Sequence, residues 1–129
     1  MSQENVEVVR AGYASWVAQR TLDFELLDPD VEWRTADLLD GGVTLRGHEG
    51  VRAWFRQMDT IWDDMWWEVE HLYDVGEQVV AVTRAHARGR DSGAVTELTT
   101  VWTIRRGKAI RVETFMDPAA ALAAVGLSR

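Results

Sequence analysis

MWWEVEHLYDVGEQVVAVTRAHARGRDSGAVTELTTVWTIRRGKAIRVETFM, residues 65–116, decides the fold. Apolar and polar residues alternate with a period of two, the spacing of strands that bury one face. Turn signals at Val75-Gly76-Glu77, Arg90-Asp91-Ser92-Gly93 and Arg106-Gly107 cut the run into MWWEVEHLY, QVVAVTRAHARG, AVTELTTVWTIRR and KAIRVETFM. Four consecutive strands are expected. In the last two, the alternation sends Leu98, Thr100, Trp102, Ile104, Ile110, Val112, Thr114 and Met116 inward, and Glu97, Arg105, Arg111 and Glu113 outward. In the first, Met65, Trp67 and Val69 face in while Trp66, Glu68 and Glu70 face out.

Upstream the period lengthens. Val6, Val9, Tyr13, Trp16 and Val17 recur at three- and four-residue steps, predicting an amphipathic first helix. A short second helix, Leu22 to Leu27, is expected to stop before Asp28-Pro29-Asp30, because the residue before a proline is pushed out of helical geometry. In VEWRT, Val31, Trp33 and Thr35 share one face of a strand. Gly41-Gly42 and Gly47 punctuate a loop before a third helix, His48 to about Asp63, with Val51, Trp54, Phe55, Met58 and Trp62 as its apolar stripe and Arg52, Arg56, Gln57 and Asp59 opposite. Downstream, Asp117-Pro118 opens a last short helix that stops at Gly126. Helices first and strands consecutive favour an α+β fold, with a largely antiparallel sheet curled around the helices.

The 129 residues fit a single domain spanning 1–129, with one core. Without cysteine there is no disulfide, thiolate nucleophile or Cys-ligated metal, and a reducing cytoplasm is the expected compartment. MSQENVEVVR, polar and acidic, does not read as a secretory signal, and no apolar run approaches a bilayer span. A net charge of -7 disfavours nucleic acid and anionic membranes as partners, since both demand a clustered basic footprint. His48, His71 and His86 stand apart, with no partner at metal-ligand spacing. No phosphate loop, nucleophile elbow or dinucleotide fingerprint is present, so neither a metal nor a cofactor is expected.

Several segments carry a family resemblance: NVEVVRAGYASW (5–16), LLDPDVEW (26–33), RGHEGVRAWF (46–55), VWTIRRGKAIRVE (101–113) and FMDPAAALAAVGL (115–127). Together they resemble the nuclear transport factor 2-like superfamily, in its SnoaL-like polyketide cyclase and steroid isomerase branch. The resemblance implies a cone-shaped fold: a curved, mixed or antiparallel sheet wrapped around three helices of the N-terminal half, with a short C-terminal helix. It also implies a hydrophobic cavity and a homodimer through the outer sheet face. Because this scaffold hosts many reactions, the resemblance speaks for fold more than for chemistry. Steroid isomerases of the branch use a first-helix tyrosine, matched by Tyr13. Their general-base aspartate aligns with Thr35 and their second oxyanion donor with Thr100, and a threonine hydroxyl is too weakly acidic to serve as that base. In the SnoaL-like cyclases an acid near the end of the last strand moves the proton, and Asp117 is its nearest match. Gln19-Arg20-Thr21 departs from the glycine-acid pair usual in related sequences at the turn between the first and second helices, and Leu22 to Leu27 is shorter than their second helix.

Seven tryptophans against three phenylalanines are the chain's other signature. Indole fills a core or lines a pocket equally well. Read as a pocket, Trp16, Val17, Trp33, Thr35, Trp54, Met58, Trp62, Thr100, Trp102, Thr114 and Met116 form its substrate-binding wall, suited to an apolar aromatic or polycyclic small molecule. Tyr13 and Asp117 are the catalytic pair: the tyrosine donates to a developing enolate oxygen and the aspartate moves the proton, although Asp before Pro is also the expected helix cap. The expected function is cofactor-independent proton transfer, a cyclisation or isomerisation of a ring-bearing carbonyl compound. The alternatives are a non-catalytic hydrophobic ligand-binding domain, or an engineered pocket on the same scaffold.

Overall fold

The computed structural model describes residues 2–19, 22–35, 42–89 and 92–126. Arg20, Thr21, Gly41, Arg90 and Asp91, on which turns were expected, lie outside them. A six-stranded mixed sheet carries α1 (Ser2–Gln19) and α2 (Gly47–Ile61) on one face and α3 (Pro118–Ala124) on the other. Its order is β2 (Thr44–Arg46), β1 (Leu27–Arg34), β6 (Lys108–Phe115), β5 (Gly93–Arg105), β4 (Gln78–Arg88), β3 (Asp64–Val75). Only the β1–β6 pair is parallel. The result is the cone-like α+β arrangement expected.

Both faces are buried at Val79-Val80-Ala81 of β4 and at Thr99-Thr100-Val101-Trp102 of β5, so there the alternation no longer separates core from solvent. Val79, Ala81 and Trp102 pack with the helices of the main core, whereas their neighbours Val80 and Val101 pack against Ala121 and Leu122 of α3. On α1, Val6, Val9, Tyr13 and Trp16 form the buried face at the expected steps, but Val17 is 39% exposed and lies off it. No described helix is long and apolar enough to cross a membrane.

The second helix shrinks to one 3-10 turn, Phe24–Leu26, capped by Asp23, whose side chain accepts from the Glu25 amide at 3.0 Å. The chain enters β1 already at Leu27 and runs extended through Pro29. That is possible because β1 and β6 fall out of register between Leu27 and Glu32, so the proline's missing N–H sits where no ladder bond is required. Beyond it, β2 occupies part of the expected loop, with Arg46 opposite Glu32 and an ion pair between them at 3.1 Å.

Bulges re-phase two expected faces. Between Val69 and His71 one extra residue turns Leu72, rather than His71, onto the core, and Val69 at the bulge stays exposed. Between Thr103 and Ile104 the register with β6 also slips, so Ala109 takes the core position opposite Ile104 and Ile110 is only half-buried. Met116, expected inward, lies past the end of β6 and is 42% exposed. The third helix ends earlier than expected: Trp62 is its extended C-cap, with its amide bonded to the Met58 carbonyl at 2.9 Å. From there the Asp63 amide bonds Arg88 and starts the β3–β4 ladder.

Candidate functional site

A cavity of about 290 Å³ lies between the helices and the concave sheet. Most of its wall follows from local patterns already described. Tyr13 and Trp16, three residues apart on α1, present one helical face to it. Trp54, Phe55 and Met58 come from the stripe of α2, and Trp33 from the inward face of β1. Trp67 enters from β3, and Leu98, Thr100 and Trp102 are successive inward positions of β5, facing Thr114 of β6.

The rings hold one another in a closed circuit. Tyr13 meets Trp16 at 6.3 Å between centroids, Trp16 meets Phe55 at 5.2 Å, Phe55 meets Trp33 at 6.1 Å, Trp33 meets Trp102 at 5.6 Å, and Trp102 returns to Tyr13 at 5.6 Å. Most of these contacts are edge-to-face, the arrangement the ring quadrupoles favour. Trp67 stacks on Trp16 at 4.0 Å, and Trp54 meets Phe55 edge-on at 5.0 Å. Every ring in the circuit is thus fixed by two neighbours, so the wall is formed before any ligand arrives.

Tyr13, Thr35, Gln57, Thr100 and Thr114 bring polar side chains to the lining. The Trp102 indole donates to the Tyr13 hydroxyl at 3.1 Å, and the Thr100 hydroxyl lies 3.4 Å from the Thr114 hydroxyl. Burial pushes the Tyr13 pKa up to about 12, outweighing the lowering effect of the neighbouring Trp102 and Thr100 side chains, so the phenol keeps its proton at neutral pH. Its oxygen accepts from Trp102 and its O–H can still donate. Among the described lining residues there is no carboxylate, imidazole, lysine or arginine.

Nine of the expected site residues meet here: Tyr13, Trp16, Trp33, Thr35, Trp54, Met58, Thr100, Trp102 and Thr114. Four do not. Val17 points away on α1. Trp62, turned off the helix by its cap geometry, lies beside Gly89. Met116 and Asp117 line a separate outer cleft of about 320 Å³, with Arg34, Glu113 and Ala120. There Asp117 is exposed and accepts from the Ala119 amide at 3.0 Å as the N-cap of α3. The two spaces share Thr35 and Thr114 as a common wall.

Trp67, Leu98 and Phe55 line the cavity without having been singled out for it, although their inward phase was legible. Val43 and Gln57 had no such signal, because one lies in a loop and the other on the polar side of α2. His48, at the start of α2, bonds the Leu27 carbonyl at 2.9 Å and ties that helix to β1.

A model of the SnoaL-like domain matches residues 9–112. Among solved structures, TerC co-crystallised with polyporic acid is 27% identical, with 95% of this chain and 98% of that chain covered and a TM-score of 0.76. A nuclear transport factor 2-like protein of unknown function from Burkholderia pseudomallei is 25% identical over the same shares, with a TM-score of 0.75. A protein with a ketosteroid isomerase-like fold from Catenulispora acidiphila, in complex with trimethylamine, is 18% identical, covers 94% of this chain and 93% of its own, and has a TM-score of 0.73; its likeness is one of fold. No curated protein matches the chain.

Proposed function

The chain belongs to the SnoaL-like domain family, whose fold includes polyketide cyclases and isomerases, and on that footing we propose that it encloses a flat, apolar, ring-bearing carbonyl compound and polarises its oxygen through Tyr13. The observation that carries this reading is the buried Tyr13 hydroxyl, bonded by the Trp102 indole and set into a mainly aromatic and aliphatic wall. A phenol that stays protonated, and whose oxygen already accepts an indole N–H, is a strengthened donor toward a developing enolate in a water-poor site. This is the electrophilic half of isomerase or cyclase chemistry. We assign Tyr13 the polarising role alone, the described lining residues carrying no acid.

The test is deuterium exchange at the α-carbon of β-tetralone, a two-ring ketone, followed by NMR. Exchange above the buffer background, lost in Tyr13→Phe, supports the reading. TerC's crystals with polyporic acid make that compound a second ligand to titrate. A non-catalytic binding role is the second reading, favoured by the absence of a carboxylate from the described lining. It is distinguished by tryptophan quenching on ligand addition without any exchange.

A further inference from the structure

The cavity has a floor and a mouth, and exposure tells them apart. Tyr13, Trp16, Trp67, Thr100 and Trp102 are buried, whereas Val43 is 47% exposed and Gln57 is exposed as well. Both of these still line the cavity, so the space meets solvent beside Val43, just before β2, and Gln57, on the polar side of α2.

What holds Val43 in place is Thr35. The β1–β2 ladder runs through Trp33 with Leu45 and Arg34 with Thr44, and the next pair along is Thr35 with Val43. The Thr35 amide donates to the Val43 carbonyl at 2.9 Å, as a ladder requires. The return bond is different: the Val43 amide donates at 2.9 Å to the Thr35 side-chain oxygen, Oγ1. That hydroxyl in turn donates to the Val43 carbonyl at 3.3 Å. A side chain thus carries the pairing one residue past the ends of both strands. The threonine's proton and one of its lone pairs are engaged by main chain, which accounts for Thr35 in the wall without any part in the chemistry. Three bonds to one residue fix the Val43 backbone, and a β-branched side chain has little rotamer freedom of its own. From α2, Trp54 is braced edge-on against Phe55 at 5.0 Å, so that wall is firm too. A cavity of about 290 Å³ lies at the lower limit for ring-bearing ligands, and the width left beside Val43 then decides what enters.

We propose that Thr35 is a specificity-determining positioning residue, which clamps Val43 at the mouth of the cavity and so admits narrow, naphthalene-sized ring compounds while excluding broader polycycles. The proposal rests on the functional reading above, since it concerns which ring compounds reach Tyr13.

The experiment titrates β-naphthol, with two rings, and 1-pyrenol, with four, by tryptophan quenching of the unaltered chain and of Thr35→Val, Thr35→Ser and Val43→Ala. Valine has the shape of threonine without the hydroxyl, and the amide it releases belongs to an exposed residue, where water takes up the bond. The unaltered chain is expected to prefer β-naphthol by about tenfold, the scale of a steric clash with a fixed wall. In Thr35→Val the released mouth brings the two affinities to within about twofold, through a gain in 1-pyrenol binding. Thr35→Ser keeps the clamp and the preference, and Val43→Ala, which removes the clamped side chain itself, loses the preference as Thr35→Val does. An unaltered chain without the preference, a preference unchanged in Thr35→Val, or one lost equally in Thr35→Ser would overturn the clamp. Equality reached by loss of β-naphthol would overturn it as well, marking Thr35 as plain wall. A preference that survives in Val43→Ala would overturn Val43 as the sorting group, whether or not Thr35→Val folds. Binding of neither compound by the unaltered chain would instead sink the functional reading itself.

Discussion

Tyr13 serves the cavity twice, with its ring in the aromatic circuit and its hydroxyl bonded by the Trp102 indole. Two expectations follow at this residue. Removing the hydroxyl in Tyr13→Phe leaves the buried Trp102 N–H without its partner, which costs about 1–3 kcal/mol in chemical denaturation. The second concerns alkali. In the unfolded chain the phenol loses its proton near pH 10, whereas the folded protein holds it to about pH 12. Below pH 10 both states are protonated and the group's contribution is fully present. Between the two values the unfolded state binds fewer protons, so stability falls as pH rises, by about 3 kcal/mol in all from this group. Denaturation curves at pH 9 to 11 should therefore show a steeper loss in the unaltered chain than in Tyr13→Phe, and parallel losses would contradict the buried phenol.

Among the elements, α3 and the entry to α2 give the sharpest expectations. Asp117→Ala removes the cap of α3 and should cost about 1 kcal/mol, while Asp117→Asn stays close to the unaltered stability. Ligand binding should survive in both, because Asp117 does not line the cavity. Gly47 opens α2 at φ +69, and a Cβ there would stand 3.2 Å from the Pro29 carbonyl. Gly47→Ala should thus lose about 1–2 kcal/mol from backbone strain, with the contact adding to it, read as a lower melting temperature. The elements also show where sequence reasoning works. The four long strands were legible because period-two alternation between turn signals has few rival explanations. The start of β1 and the whole of β2 were not. Asp28-Pro29-Asp30 signals a break, and only pairing with a distant strand reveals that a bulge lets the strand pass through it. Three residues of β2 hold too little pattern to be seen at all.

At the scale of the whole molecule, five of the seven tryptophans, Trp16, Trp33, Trp54, Trp67 and Trp102, line a cavity whose rings support one another. Trp33 touches both Phe55 and Trp102, so Trp33→Ala opens the circuit and should destabilise the fold by about 3–5 kcal/mol while weakening ligand binding. Placement in the cavity was legible where inward phase and aromatic character coincided, as at Trp16, Trp33 and Trp102. It was not legible where a cap or a strand end altered direction, as at Trp62, Met116 and Asp117. A homodimer through the outer sheet face is a further proposal, and on that face Trp66 stacks against His86 at 4.8 Å. Sedimentation should show a dimer that Trp66→Glu dissociates, and a monomer in the unaltered chain would contradict it. The most direct measurement is a tryptophan-fluorescence titration with β-naphthol of the unaltered chain and of Tyr13→Phe. Saturable quenching, weakened about tenfold by loss of the single hydroxyl, is the expected result. Equal affinity in the two proteins would contradict the oxygen's place on Tyr13, and no quenching in either would contradict the ligand-binding cavity.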